Sequence, residues 1–311
     1  MNELDVARHS TLVDPQLHVW AWEVPMYLFL GGMAAGVMIL GSLLAARKAP
    51  RSAAMRWQGF APALLVTLGM GALFLDLSHK LHAWRFYVAF RWTSPMSWGA
   101  WILVLVYPVT LLFALGGLED AEAERVAALA GRVGLGGLVR RGRALALARA
   151  GCLRRANLVV GVGLGIYTGV LLSTLGARAL WSSALLGPLF LVSGVSTGAA
   201  LLLLSPIGVE ERHLLARWDR IAIALELAVL ALLLAGLSTS GAGGHAAAEL
   251  LLGGPYTGPF FALVVAGGLL MPLLLGALEE RLGLPATAAG PALVLLGGLA
   301  LRALLVAAGQ A

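Results

Sequence analysis

The 311-residue chain is 59% hydrophobic and only 12% charged, whereas soluble domains carry roughly 25% charged residues; a globular surface wetted by water is excluded. Its net charge of +6 does not mark a nucleic-acid binder, because the arginines lie between apolar segments rather than on one basic face. Cys152 is the single cysteine, which excludes a disulfide framework, a thiolate zinc site and a cysteine-ligated iron–sulfur cluster within the chain.

Residues 1–20 are mixed and polar, with Glu3, Asp5, Arg8 and Asp14 among them. They lack the basic and short apolar regions of a secretion signal, so the first apolar run is expected to stay as an anchor. A hydrocarbon core of about 30 Å needs roughly 20 apolar residues in helical form. Eight segments qualify, at 21–45, 57–77, 97–118, 156–176, 184–205, 219–238, 259–278 and 286–308. The predicted fold is therefore an all-α integral membrane protein, one membrane domain over 1–311. Lysine and arginine divide 16 to 5 between the two sets of loops, with Arg302 inside the last span. The positive-inside rule then predicts a bacterial inner-membrane protein with both termini periplasmic.

The halves 1–176 and 177–311 echo each other. Pro95 and Pro108 have the spacing of Pro259 and Pro272, Arg56-Trp57 opens one span as Arg217-Trp218 opens another, and Pro25 to Gly36 parallels Pro188 to Gly198. The spacing suggests two four-helix repeats in parallel orientation, against chance in an Ala/Leu/Gly-rich chain. The pairs Gly32/Gly36, Gly165/Gly169 and Gly194/Gly198 read as close helix packing.

Ionisable groups inside a bilayer cost several kcal/mol and are functional candidates by default. Glu23 falls in the first turn of span 1, Asp76 in the last turn of span 2, and Asp219 and Glu226 near the start of span 6. Glu23 and Tyr27 share a helix face, as Asp76 and His79 do if the helix continues that far. A carboxylate beside a phenol or imidazole suits proton exchange with a bound two-electron, two-proton carrier, and Trp20, Trp22, Trp98 and Trp101 offer apolar walls. The competing reading of the tryptophans is an ordinary aromatic belt. Asp219 and Glu226, seven residues apart on one face, suggest a proton relay, against a neutral packing carboxylate at Glu226 and a pair with Arg217 or Arg220 at Asp219. The histidines fall at helix ends or in loops, so no haem is expected, and no metal site is read.

The segments PMYLFLGGMAAG (25–36), LDLSHKLHAWRFY (75–87), SPMSWGAWIL (94–103), YTGVLLS (167–173) and PLFLVSG (188–194) resemble the NrfD/PsrC family, the membrane subunit of polysulfide reductase and related respiratory complexes. The resemblance implies a subunit that exchanges electrons between the membrane pool of menaquinone or ubiquinone and a periplasmic ferredoxin-like iron–sulfur subunit. Beyond that partner it implies a molybdopterin or multihaem catalytic subunit. By carry-over, Glu23, Tyr27, Asp76 and Tyr167 hold the quinone head group, and the residue pattern adds His79 as a proton partner of Asp76 and Trp98 as a wall. Many members have Asp-Leu-Gly-Arg-Pro where this chain has Asp76-Leu77-Ser78-His79-Lys80, which bears on the quinone type and on His79. Two other classes stay open, a secondary transporter or proton channel and a structural anchor. The first predicts broken helices in matching positions, and the second has no use for buried carboxylates.

Overall fold

The computed structural model describes residues 20–47, 49–77, 80, 88, 91–174 and 178–311. Among them, eight helices are long and apolar enough to cross a membrane: α1 (Glu23–Ala46), α2 (Ala53–Asp76), α3 (Pro95–Gly117), α6 (Ala150–Ser173), α7 (Leu186–Leu203), α8 (Val209–Thr239), α10 (Thr257–Leu282) and α11 (Ala289–Gln310). No strand occurs among the described residues.

Shorter helices lie outside these spans. The arginine-rich stretch after α3 folds into α4 (Asp120–Gly131) and α5 (Gly136–Ala148), and α9 (Gly241–Leu252) follows α8. Glu119 and Glu122 close a capping box at the start of α4, which satisfies backbone donors that the first helical turn leaves open. Arg56 on α2 clamps this helix with two hydrogen bonds to Glu122, 2.9 and 3.0 Å, and an ion pair to Glu119 at 3.0 Å. The Arg56 guanidinium accordingly holds the Glu122 carboxyl below its ordinary value of 4.5. Gly241 turns the chain between α8 and α9 at φ +83°, a conformation that costs glycine little.

Helix α1 has no polar face, and 83% of its apolar stretch is buried, so it is the centre of the bundle. It packs on α2, α6, α7 and α11. Its contact with α7 is backbone on backbone: a Cβ on Gly36 would overlap the Gly194 carbonyl, and one on Gly198 would overlap Gly36. Without a hydrophobic drive between helices in lipid, such close approach through small residues supplies the packing energy. Gly169 meets Leu186 and Gly187 in the same way, and Gly268 meets Gly297. Leucines 64, 68, 232 and 263 stay exposed on the chain's outer face, where lipid surrounds them.

The extension of α8 towards the arginine-rich end, beyond the expected span, places His213 on a helix rather than in a loop, and His245 likewise sits on α9. Within α10 the stretch Phe260–Leu270 is π-helical and runs into Pro272. A proline lacks the N–H that an α-turn needs, and wide turns absorb such a break. α3 carries Pro108 within a continuous α-helix, so the two proline-matched helices differ in backbone form.

Candidate functional site

At the end of the bundle opposite the arginines, α1, α2, α3 and α6 enclose a cavity of about 650 Å³. Its walls are mostly apolar, from Val24, Leu28, Phe74, Met96, Leu103 and Leu171, and beside Thr174 at the rim three of the expected polar side chains converge there: Tyr27, Asp76 and Tyr167. Pockets of this size with few polar groups suit a drug-sized ligand.

Each of the three is positioned by its helix. Tyr27 is buried one turn into α1, and Tyr167 is buried near the end of α6. Gly99 on α3 makes room for Tyr167: a Cβ on that glycine would overlap the tyrosine ring and hydroxyl. Asp76 is the last residue of α2, where Leu77 leaves the helix in extended conformation. It is half-buried and makes no side-chain hydrogen bond to a described residue.

The other expected members stand differently. Glu23 is one turn before Tyr27 and is not part of the cavity wall, but its Oε2 is buried without a hydrogen-bond partner among the described residues. Trp98 is not part of the wall either and is 40% exposed. Its indole donates to the Trp92 carbonyl at 2.9 Å, and the two rings meet edge-on at 4.9 Å. Trp22 and Trp101 are also exposed, as a belt requires. His79 lies outside the described residues. Trp20, one of the expected wall tryptophans, does line the cavity. It stacks on Trp181 at 5.3 Å and exchanges two 2.9 Å hydrogen bonds with Gln310 at the end of α11. Trp181 in turn donates to Leu305 O at 2.8 Å.

A second polar system runs through the bundle interior. From the arginine-rich face a cavity of about 360 Å³, lined by Arg212, Arg220, Glu279 and Glu280, ends on Asp219. Asp219 accepts a hydrogen bond from Ser196 at 2.8 Å, and Arg220 is turned to Glu280, so neither Arg217 nor Arg220 pairs with Asp219. Glu226 lies about 10 Å deeper along α8 and is 2% exposed. The Ser193 hydroxyl and the charge of Arg302 both act on it electrostatically.

Arg302 is the residue the sequence hid. It is fully buried, donates to Leu28 O at 3.2 Å, Gly298 O at 2.8 Å and Ser193 Oγ at 3.0 Å, and lies over the rings of Phe29 and Phe190. Its Nη2 has no hydrogen-bond partner among the described residues. The available signal was that Arg302 is the one arginine deep inside a predicted span. Leu28, whose carbonyl it holds, also lines the larger cavity, so the two polar systems meet at one residue.

Comparison with known proteins follows the same line. The family described as "Polysulphide reductase, NrfD" matches residues 10–311. The C chain of Wolinella succinogenes polysulfide reductase is 32% identical over 186 residues, 58% of this chain and 56% of that protein. Protein NrfD of Escherichia coli is 31% identical over 272 residues, 83% of this chain and 84% of that one. The Protein NrfD homolog of Haemophilus influenzae is 24% identical over 271 residues, 82% of each.

Proposed function

We propose, from the premise that this multi-pass membrane chain belongs to the NrfD family, that it is the membrane anchor and quinone-reactive subunit of a respiratory oxidoreductase complex. The observation that carries this reading is the convergence of Tyr27, Asp76 and Tyr167 on one apolar-walled cavity. A quinone bound there supplies two-electron, two-proton chemistry. The chain's own part is to hold the head group and move protons. Tyr27 and Tyr167 offer phenolic donors to its oxygens, Asp76 exchanges a proton with one of them, and the leucine and phenylalanine walls exclude water. Quinol oxidation releases two electrons and two protons; the electrons go to a ferredoxin-like iron–sulfur subunit and from it to a molybdopterin or multihaem catalytic subunit. That one relative is named as part of polysulfide reductase supports a multi-subunit setting.

The test uses Gly99, which touches neither ligand nor reacting atoms. Gly99→Leu should push Tyr167 out of its place and weaken binding of a menaquinone analogue about tenfold, the scale of one hydrogen bond in a dry site. Quenching of Trp20 fluorescence in the purified chain measures it. Unchanged affinity in a folded variant rejects the cavity as the quinone site.

The topology proposed with this function has both termini in the periplasm, on the cavity's side, and α4 and α5 in the cytoplasm. A reporter fused after residue 311 should give a periplasmic signal. A cytoplasmic one would move the cavity to the wrong face for a periplasmic partner.

Two interior polar groups support a proton relay joined to this chemistry: Asp219 with Ser196 at the cavity on the arginine-rich face, and Arg302 with Ser193 and the carbonyl of Leu28 at the quinone cavity, with Glu226 about 10 Å deeper along α8 than Asp219. Glu226→Gln should keep the fold, because Arg302 retains its three oxygen acceptors. In proteoliposomes it should lower proton uptake per electron. If both that ratio and the turnover rate stay at wild-type values, Glu226 is a packing residue.

A further inference from the structure

A separate cleft of about 290 Å³ opens on the arginine-rich face, between the ends of α1 and α3, the last turn of α5 and the start of α6. Its inner wall is apolar, from Ala45, Leu112, Phe113 and Leu153, and two guanidinium groups, Arg51 and Arg154, stand in its lining. No carboxylate of the described residues lines it. This separates the two arginines from their neighbours, since Arg56, Arg140, Arg143 and Arg220 all have acidic partners.

Neither Arg51 nor Arg154 forms an ion pair with a described residue. Arg51 makes one long hydrogen bond to Gly117 O, 3.5 Å. Burial and the adjacent Arg56 push its guanidinium below the ordinary arginine range. Glu211, whose charge acts the other way, is held by Ser52 and by the Gly208 amide. Arg51 is therefore a half-buried cation for which the described residues supply no paired anion.

Depth identifies what completes it. Phe113 and Leu112 lie four and five residues before the end of α3 at Gly117, which is about 6 to 7.5 Å along the helix axis. The cleft thus runs from the level of the helix ends, where headgroups lie, to the level of the first acyl carbons. A free phosphate would match the arginines and leave the apolar wall bare.

We propose that this cleft is a binding site for an anionic phospholipid of the surrounding leaflet, with its phosphate on Arg51 and Arg154 and an acyl chain along Leu112 and Phe113. Guanidinium groups bind phosphate through paired charge-assisted hydrogen bonds, and basic pockets between membrane helices favour anionic headgroups. Because Ala146 of α5 is part of the wall, the lipid bridges the cytoplasmic-loop helices to the bundle.

Native mass spectrometry of the full chain, released from micelles holding equal phosphatidylglycerol and phosphatidylcholine, provides the test. The wild type should retain phosphatidylglycerol in preference. Arg154→Gln should weaken that retention about fivefold and Arg51→Gln/Arg154→Gln roughly 25-fold, at about one factor of five per arginine near a membrane surface. Gly151→Phe gives an independent reading: a Cβ there meets nothing within 4 Å, so the ring fills the cleft without straining the helix and should abolish retention. Millimolar inorganic phosphate should not displace the lipid. Equal retention of the two lipids, retention unchanged in folded Gly151→Phe, or displacement by inorganic phosphate would each overturn the proposal.

Discussion

Asp76→Asn is expected to slow quinol oxidation by about 10²- to 10⁴-fold, the range for loss of a general acid–base group, with the protein still folded and assembled. Asparagine keeps the shape of the side chain and removes its capacity to take a proton. The fold has little at stake, since Asp76 ends its helix and makes no side-chain hydrogen bond to a described residue. Oxidation of a soluble menaquinol analogue by the intact complex, with subunit content checked in parallel, measures the effect. Tyr167→Phe should be milder, because the ring still fills its place and only one hydroxyl is lost. Wild-type turnover in a fully assembled Asp76→Asn complex would remove Asp76 from the mechanism.

Arg302→Leu should cost about 3 to 5 kcal/mol of stability, because it removes the charged donor of three buried hydrogen bonds. Glu226 would lose the compensating charge of Arg302, deep in a medium that penalises an isolated charge. Leu28 would lose the donor that its carbonyl faces. Thermal unfolding in detergent reads this directly, and adding Glu226→Gln to Arg302→Leu should recover a large part of the loss by removing the stranded carboxylate. If Arg302→Leu melts with the wild type, the arginine is not what holds these helices together. The contrast with Glu226→Gln is instructive: the arginine keeps its three acceptors when Glu226 is changed, whereas the glutamate loses a nearby positive charge when Arg302 is.

Hydropathy alone made the eight spans legible, because a bilayer demands the same length of apolar helix each time. Residues on the same helix were harder to sort. Trp98 and Gly99 are adjacent in one motif, and a helix turns 100° per residue, so when Gly99 faces Tyr167 its neighbour is carried round towards the outside. Asp219 and Glu226 were visible as acids inside a span. Their partners were not, since Ser196, Ser193 and Arg302 come from two other helices and look like ordinary packing residues until those helices are placed. The stretch 119–155 reads as a charged loop by composition, yet Leu138, Val139, Gly142, Leu145 and Ala146 recur at helical spacing within it. Gly142 and Ala146 pack on the end of α3. The π-helical segment of α10 has no such signature, because its residues are uniformly apolar.

The exchange of hydrogen bonds between Trp20 and Gln310 joins residues 290 positions apart, and Trp20 is part of the cavity wall. During synthesis the first of the pair leaves the ribosome long before the second exists. Through the insertion of seven successive helices that side of the cavity lacks these two hydrogen bonds, which form only when α11 arrives. Completion of that side of the pocket is thereby tied to the arrival of α11. A product truncated before α11 keeps the stacking partner Trp181 for Trp20 and lacks its two hydrogen bonds to Gln310.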